Sequence, residues 1–132
     1  MFQHRSNIRV RYADTDQMRV VHHSKYFEYF EIGRSDLIRD LGMSYAELED
    51  KGIFLPVIEA QAQYRKPAFY DEMITVETTI RDLPVVTLKI HYRVLRADEV
   101  LAEGVTVHGF VNAATGKPTR APKEFLSLLN RS

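Results

Sequence analysis

A long segment of helical periodicity, followed by long alternating segments, limits the folds open to this chain of 132 residues. Apolar residues recur every three or four positions over residues 25–41, with Arg34 as a polar exception. Ser24 is placed to cap the start of this helix and Gly42 to end it. Gly33 costs about 1 kcal/mol relative to alanine in mid-helix, so either a close neighbour requires it or the helix tolerates it.

Apolar and polar residues alternate before and after this helix, which indicates strands. The pattern predicts strands at 7–13, 54–64, 73–81, 85–95 and 101–112 and shorter helices at 45–51 and 122–129. Long strands joined by hairpin-like turns favour an antiparallel sheet, and one helix packed on one curved sheet is the simplest α+β arrangement. Its open edges favour pairing between subunits, which predicts a homodimer.

Composition narrows the class of protein. The length predicts one domain over 1–132. The 18 Lys and Arg residues balance 18 Asp and Glu residues, which argues against general nucleic-acid or membrane-surface binding but leaves room for a local basic patch. The absence of cysteine excludes disulfides, thiolate catalysis and cysteine-ligated zinc. With no signal-like or bilayer-long apolar run, we expect no membrane span and a cytoplasmic location.

Carboxylates, imidazoles and a helix start are concentrated in residues 10–34. Asp14 and Asp16 end the first predicted strand, and His22 and His23 follow in one small loop just before the helix. Groups of these types can polarise a carbonyl and activate a water molecule. Adjacent histidines rarely direct both rings at one ion, and the spacing matches no metal motif, so we expect no metal.

The same stretch carries a recognisable motif. It reads Tyr12-x-Asp14-Thr15-Asp16, Val20-Val21, His23 and Tyr26-x-x-Tyr29-Phe30-Glu31-x-x-Arg34. Weaker matches follow in order at Tyr64-x-x-Pro67-Ala68, Asp71-Glu72 and Lys117-Pro118-x-Arg120-x-Pro122. In these residues the chain resembles the hotdog-fold thioesterases of the 4-hydroxybenzoyl-CoA thioesterase type and the acyl-CoA thioesterases associated with the Tol–Pal system.

The resemblance implies a fold and an activity. The fold would be a hotdog fold, in which a curved antiparallel sheet of about five strands wraps a long central helix. The activity would be hydrolysis of an acyl-CoA to free acid and CoA. No cofactor is expected, because coenzyme A is part of the substrate. The expected assembly is a homodimer or homotetramer.

The resemblance also assigns roles to residues. Asp16 matches the catalytic carboxylate, which acts either as nucleophile or as general base, and the backbone N–H of His23 matches the group that polarises the thioester carbonyl. Asp14 is expected to stabilise the turn. Further substrate contacts are expected from Tyr12, Arg19, Tyr26, Glu31, Phe54, Tyr64, Arg65 and Lys66. Two of these have competing interpretations. Tyr12 is more often a packed strand aromatic than a ligand contact. A second branch of hotdog thioesterases places its carboxylate on the central helix near the position of Glu31, but we favour a structural ion pair between Glu31 and Arg34, because Asp16 already matches the catalytic position.

Two departures from the family pattern concern the substrate. Arg19 stands where the family usually has glycine, so either it narrows or re-charges the pocket mouth or the loop runs differently. The turn at 83–86 lacks the basic residues that some relatives use near CoA phosphates. Possible substitutes are Arg65, Lys66, Lys89 and Lys117.

Two other functions remain open on sequence grounds. Because of Arg19, the chain could be a non-catalytic module of the same fold that binds acyl-CoA or acyl-carrier protein. A hotdog hydratase or dehydratase ranks lower, because the motif matches the thioesterase pattern.

Overall fold

The computed structural model describes residues 1–130, which form seven strands and three α-helices. In chain order these elements are β1 (Phe2–Arg9), α1 (Lys25–Asp40), α2 (Tyr45–Asp50), β2 (Ile53–Phe54), β3 (Val57–Tyr64), β4 (Met73–Ile80), β5 (Thr87–Arg96), β6 (Glu99–Gly109), β7 (Val111–Asn112) and α3 (Lys123–Asn130). A single 3-10 turn, Tyr12–Asp14, lies between β1 and α1. None of the helices in this described part is both long and apolar enough to cross a membrane.

The sheet has five strands in the order β1-β4-β5-β6-β3, and every neighbouring pair is antiparallel. The short strands β2 and β7 form a separate two-stranded ribbon. Strand β3 is an edge strand, and nearly all of its residues are exposed. This architecture confirms the predicted α+β class with one long helix and a sheet of about five antiparallel strands.

The core lies between α1 and one face of the sheet. Phe30 of α1 stacks on Tyr92 of β5, with ring centroids 4.4 Å apart and planes 15° from parallel. The fully or almost fully buried apolar residues around this pair include Leu37, Ile38, Ile74, Val76, Leu88, Ile90, Val94 and Leu101. Burial of each such side chain contributes about 1.5–3 kcal/mol, so α1 is held mainly by its apolar face.

Two glycines let α1 approach the sheet closely. A methyl group on Gly33 would lie 2.9 Å from Val76 Cγ1 and still closer to Thr78 Oγ1. A methyl group on Gly104 of β6 would meet the ring of Phe30 and lie 2.9 Å from the carbonyl oxygen of Gln61. The close-neighbour explanation for Gly33 is therefore confirmed over simple tolerance.

A chain of hydrogen bonds crosses the core near β2. Tyr92 Oη lies 2.6 Å from Thr106 Oγ1, which lies 2.9 Å from His108 Nε2. The other ring nitrogen, Nδ1, lies 3.1 Å from the carbonyl oxygen of Leu55, so it carries the proton and donates. Burial lowers the pKa of His108 to about 4, which keeps this imidazole neutral.

Three predicted element boundaries are wrong. The strand predicted at 7–13 is β1, which begins at Phe2 and ends at Arg9, because the polar residues on its inward side hid the alternation. The strand predicted at 54–64 is interrupted at Pro56, which has no N–H to donate to a neighbouring strand. The strand predicted at 101–112 is interrupted between Gly109 and Val111.

Candidate active site

Residues 14–22 form a short hairpin that leads into α1. The N–H of His22 donates to the carbonyl oxygen of Asp14 at 2.9 Å, and the N–H of Asp16 donates to the carbonyl oxygen of Val20 at 2.9 Å. Both hydrogen bonds join main-chain groups, so the backbone at Asp16 is held without help from neighbouring side chains.

The tip of this hairpin fixes the Asp16 carboxylate. Oδ1 of Asp16 accepts a 2.8 Å hydrogen bond from the N–H of Met18, and the Asp16 carbonyl oxygen accepts one from the N–H of Arg19 at 3.0 Å. Arg19 has a φ of 65°, the left-handed conformation that such hairpin loops usually assign to glycine. The loop therefore takes a backbone conformation suited to glycine, with an exposed arginine in its place.

Asp14 anchors the base of the hairpin. It is 1% exposed, and its carboxylate accepts hydrogen bonds from the side chain of Arg11 at 3.0 Å and from the hydroxyl of Tyr29 at 3.0 Å. Burial acts to raise the pKa of Asp14, but the hydrogen bonds from Arg11 and Tyr29 outweigh it and hold that pKa below its usual value. Asp14 is therefore a buried anion that ties the hairpin to α1, as the turn-stabilising role predicts.

The start of α1 leaves one backbone donor without an acceptor. The N–H groups of Ser24, Lys25 and Tyr26 donate to His22 Nδ1, the His22 carbonyl and the His23 carbonyl, respectively. The N–H of His23 has no acceptor within residues 1–130. The predicted cap at Ser24 is wrong, because its hydroxyl lies 2.8 Å from His22 Nδ1 and makes no capping bond.

A cleft of about 330 Å³ opens beside this helix start. It is lined by Val21, His23, Tyr26, Tyr64, Arg65, Lys66 and Pro67. The hydroxyl of Tyr64 donates to the His23 carbonyl oxygen at 3.2 Å, and its ring lies 5.2 Å from that of Tyr26. Burial raises the pKa of Tyr26, so its phenol keeps its proton. Four of the predicted substrate residues and His23 thus meet in one aromatic cleft.

The two cations of this cleft are already paired. Arg65 Nη2 lies 2.6 Å from Glu103 Oε2, and Lys66 Nζ lies 2.6 Å from Glu99 Oε2. All four side chains are partly exposed, so each pair contributes only about 0–1 kcal/mol and exchanges partners at little cost.

Other predicted site residues lie elsewhere. Glu31 and Phe54 line a second cleft of about 480 Å³, beside Arg34 and Tyr45. Among residues 1–130, no ion pair joins Glu31 to Arg34, so the structural pairing that we favoured for Glu31 is wrong. The side chain of Glu31 is exposed on α1, whereas that of Arg34 is half-buried.

Tyr12 and the hairpin tip lie outside both clefts. Tyr12 is 71% exposed in the 3-10 turn and meets Tyr70 edge-to-face, with centroids 5.6 Å apart. The interpretation of Tyr12 as a packed strand aromatic is therefore wrong, because β1 ends before it. Asp16 and Arg19 are exposed at the tip of the hairpin. The second strand of that hairpin reaches the first cleft at Val21.

Two supporting residues were missed at the sequence level. Arg11 and Tyr29 were not assigned a role, yet both bind the Asp14 carboxylate. The spacing of Arg11 and Asp14 was a usable signal, because oppositely charged residues three apart meet when the chain turns. Within residues 1–130, no group of three or more His, Cys, Asp or Glu side chains is arranged to hold a metal ion.

Known proteins resemble this chain over most of its length. The sequence profile of the thioesterase-like superfamily matches residues 10–129. YneP of Bacillus subtilis, provisionally named an acyl-CoA thioesterase, is 36% identical over 122 residues, which are 92% of this chain and 88% of YneP. The crystal structure of a DHNA-CoA thioesterase from Staphylococcus aureus is 30% identical, with a TM-score of 0.91 and coverage of 99% of this chain and 91% of that one.

A further solved structure gives the same likeness. The hypothetical protein TT1821 from Thermus thermophilus is 38% identical, with a TM-score of 0.90, and the match covers 96% of this chain and 97% of that protein.

Proposed function

The chain belongs to the thioesterase-like superfamily and is a hotdog-fold thioester hydrolase, and from this membership we propose that it hydrolyses acyl-CoA with Asp16 and the N–H of His23 as its catalytic groups. YneP and the acyl-CoA thioesterase YbgC of Haemophilus influenzae, 29% identical over 118 residues, support CoA as the thiol partner. The acyl group is not assigned by these relatives.

The unpaired N–H of His23 is the observation that carries this proposal. Its neighbours at the start of α1 all have acceptors within the chain, whereas this one has none among residues 1–130. A helix N-terminus favours negative charge, and a donor held there stabilises the oxyanion that forms when a thioester carbonyl is attacked. The aromatic cleft beside it offers an apolar wall to a group bound at this donor.

Asp16 supplies the second group in the proposed reaction. As a general base it removes a proton from water while the water oxygen bonds to the carbonyl carbon. As a nucleophile its own carboxylate oxygen forms that bond, and water then hydrolyses the anhydride. In the general-base route, collapse of the tetrahedral intermediate breaks the C–S bond, and the CoA thiolate takes up the proton that Asp16 removed from water. In the nucleophilic route, the same collapse expels the CoA thiolate and leaves the anhydride, and the water that hydrolyses the anhydride supplies the thiol proton. The hydrogen bond from Met18 orients the carboxylate for either role.

The substrate follows α1 in this proposal. The thioester lies at His23 beside the paired rings of Tyr26 and Tyr64, and the acyl group extends along the helix toward the second cleft at Glu31 and Phe54. Eight helical residues separate positions 23 and 31, a rise of about 12 Å. Arg65 and Lys66 turn from their surface partners to the CoA phosphates, and Arg19 adds charge at the mouth.

Thiol release from a panel of short, long and aromatic acyl-CoAs tests the proposal. We expect Asp16→Asn to lower kcat by at least about a hundredfold with an unchanged Tm. Asp98→Asn, in the exposed turn before β6, is the matched control and should keep full turnover. Normal turnover in Asp16→Asn combined with its loss in Glu31→Gln would transfer the catalytic role to Glu31.

A pair of substitutions at position 23 separates the backbone group from the imidazole. His23→Ala keeps the N–H, and we expect turnover within about threefold of the wild type. His23→Pro removes the N–H two residues before α1 begins and should lower kcat by about a hundredfold. Loss of turnover in both variants would assign the chemistry to the imidazole instead.

Stoichiometric binding of acyl-CoA without turnover would support the binding-module function instead. The left-handed conformation of Arg19 argues against it, because the loop keeps the backbone course that glycine allows.

We infer a homodimer from the edge of the sheet. Strand β3 has one free edge, and Val57, Ile58 and Tyr64 on it are between 47% and 56% exposed. Such an edge is stabilised when a second copy covers it. Sedimentation equilibrium should give twice the chain mass or a multiple of it, and Val57→Lys should lower that mass; a wild-type monomer would contradict the inference.

A further inference from the structure

The loop between β4 and β5 exposes a cluster of aliphatic side chains. Leu83, Val85 and Val86 are 52%, 59% and 56% exposed, while Pro84 between them is buried. We call residues 83–86 the apolar loop. Apolar residues grouped on a loop tip are unusual on a monomer surface and mark a site of interaction.

Four exposed cations lie on the segments next to this loop, and we call them the basic collar: Arg81, Lys89, Arg120 and Lys123. The 2.8 Å hydrogen bond from Ala121 N–H to the Val85 carbonyl oxygen holds the segment before α3 against the loop. Burial lowers the pKa of His91, and the nearby charges of Arg81 and Lys89 lower it further, which places both cations on the same side of β5 as this imidazole.

The collar is not neutralised by the protein. In the described part of the chain, residues 1–130, none of its four members forms an ion pair. Many other cations on the surface do, including Arg65 with Glu103. Across residues 81–89 and 120–123 the only carboxylate is Asp82, so the charge there is strongly positive.

We propose that the apolar loop and the basic collar dock the protein on an anionic lipid bilayer. Aliphatic side chains at a loop tip enter the region between headgroups and acyl chains, while Lys and Arg around them meet anionic headgroups. The net charge of the whole chain is zero, so the positive charge that this surface offers to a bilayer is local. The proposal does not depend on the catalytic assignment.

A protein partner fits this surface less well than a bilayer. Interfaces between proteins are enriched in aromatic residues and depleted in lysine, whereas this loop has no aromatic residue and its collar has two lysines.

Vesicle sedimentation with the full-length chain tests the proposal. We expect binding to phosphatidylcholine vesicles that contain about one third phosphatidylglycerol, a decline with added salt, and no binding to pure phosphatidylcholine. Arg120→Gln with Lys123→Gln should lower the partition coefficient by about thirtyfold, since each cation near such a surface contributes about fivefold. Val85→Ser with Val86→Ser should lower it by about tenfold.

The control makes one change of each kind, Arg to Gln and apolar to Ser, at the far end of the sheet. Arg9 and Met73 pair across β1 and β4 at the ends opposite the apolar loop, and both are solvent-accessible. Arg9→Gln with Met73→Ser should bind vesicles as the wild type does. Equal loss in this control, or no sedimentation of the wild type with anionic vesicles, would overturn the proposal.

Two further outcomes would assign the surface to another partner and so overturn the bilayer proposal. A fall in oligomer mass for Val85→Ser with Val86→Ser would make the loop an interface between copies. Retention by immobilised acidic acyl-carrier protein at the same salt, without vesicle binding, would make it a protein-docking site.

Discussion

The hydroxyl of Tyr29 in α1 donates a 3.0 Å hydrogen bond to the carboxylate of Asp14, two residues before Asp16. This bond is buried and links the central helix directly to the base of the proposed catalytic hairpin. Burial and the neighbouring Asp14 anion raise the pKa of Tyr29, so its hydroxyl keeps the proton that it donates. The helix that presents one proposed catalytic group therefore also anchors the other.

Tyr29→Phe should destabilise the fold by about 1–3 kcal/mol, because it leaves a buried carboxylate with one donor fewer. We expect kcat to fall as well, since the hairpin that carries Asp16 loses its tie to α1. Urea unfolding and thiol release measure the two effects. Tyr70→Phe, on an exposed ring, is the control, and equal stability of the two variants would contradict the anchoring role.

The buried imidazole of His108 should make stability depend on pH. Its pKa is lowered to about 4 in the folded chain, mainly by burial, whereas an unfolded histidine titrates near 6.5. As the pH falls, His108 therefore binds a proton in the unfolded chain before it does so in the folded chain. The full stabilisation is present above about pH 6.5 and falls by about 3 kcal/mol as the pH drops to about 4. In His108→Gln, the unfolding free energy should depend much less on pH across this range. An equally steep dependence in that variant would assign the loss of stability to another titrating group.

Gly33→Ala should destabilise the protein by about 1–3 kcal/mol through overpacking against β4. Part of the loss should be recovered in combination with Thr78→Ala, because the hydroxyl of Thr78 is the nearest obstacle and is a buried oxygen without a hydrogen-bond partner within residues 1–130. A double-mutant cycle of unfolding free energies gives this coupling. Strict additivity would show that the contact is relieved by a shift of the helix instead.

Replacing Arg19 separates backbone strain from charge. Arg19→Gly should stabilise the protein by about 1 kcal/mol, because glycine adopts a positive φ without a steric penalty. If its charge meets CoA phosphates, KM should rise in Arg19→Gly and also in Arg19→Asn, which tolerates the same conformation, while kcat stays unchanged. Unchanged KM in both variants would remove Arg19 from the substrate contacts.

The main helices and strands were predicted well from the sequence, because the spacing of apolar residues is regular along each of them. The long helix was expected over 25–41 and α1 spans Lys25–Asp40; the strands β4 and β5 lie within two residues of their predicted bounds. Prediction failed where tertiary context overrode local pattern. Strand β1 has polar residues on its inward side, and the Tyr12 segment turns because Asp14 is drawn inward by Arg11 and Tyr29.

The candidate site was predictable only in part. The grouping of His23, Tyr26 and Tyr64 followed from the family resemblance, and the structure places these residues around one cleft. The separation of Glu31 and Phe54 into a second cleft depends on the course of α2 and β2, which no motif specifies. The pairing of Lys66 with Glu99 joins residues 33 positions apart, and a sequence without structure gives no register for such contacts.

The unpaired donor at position 23 belongs to the main chain, and nineteen of the twenty amino acids supply the same N–H there. Any residue except proline can therefore replace His23 without loss of the backbone donor. What is inherited at this position is the geometry of the turn into α1. Under the proposed mechanism, a search for active members of the superfamily that requires a particular side chain at this position would discard chains that keep the donor.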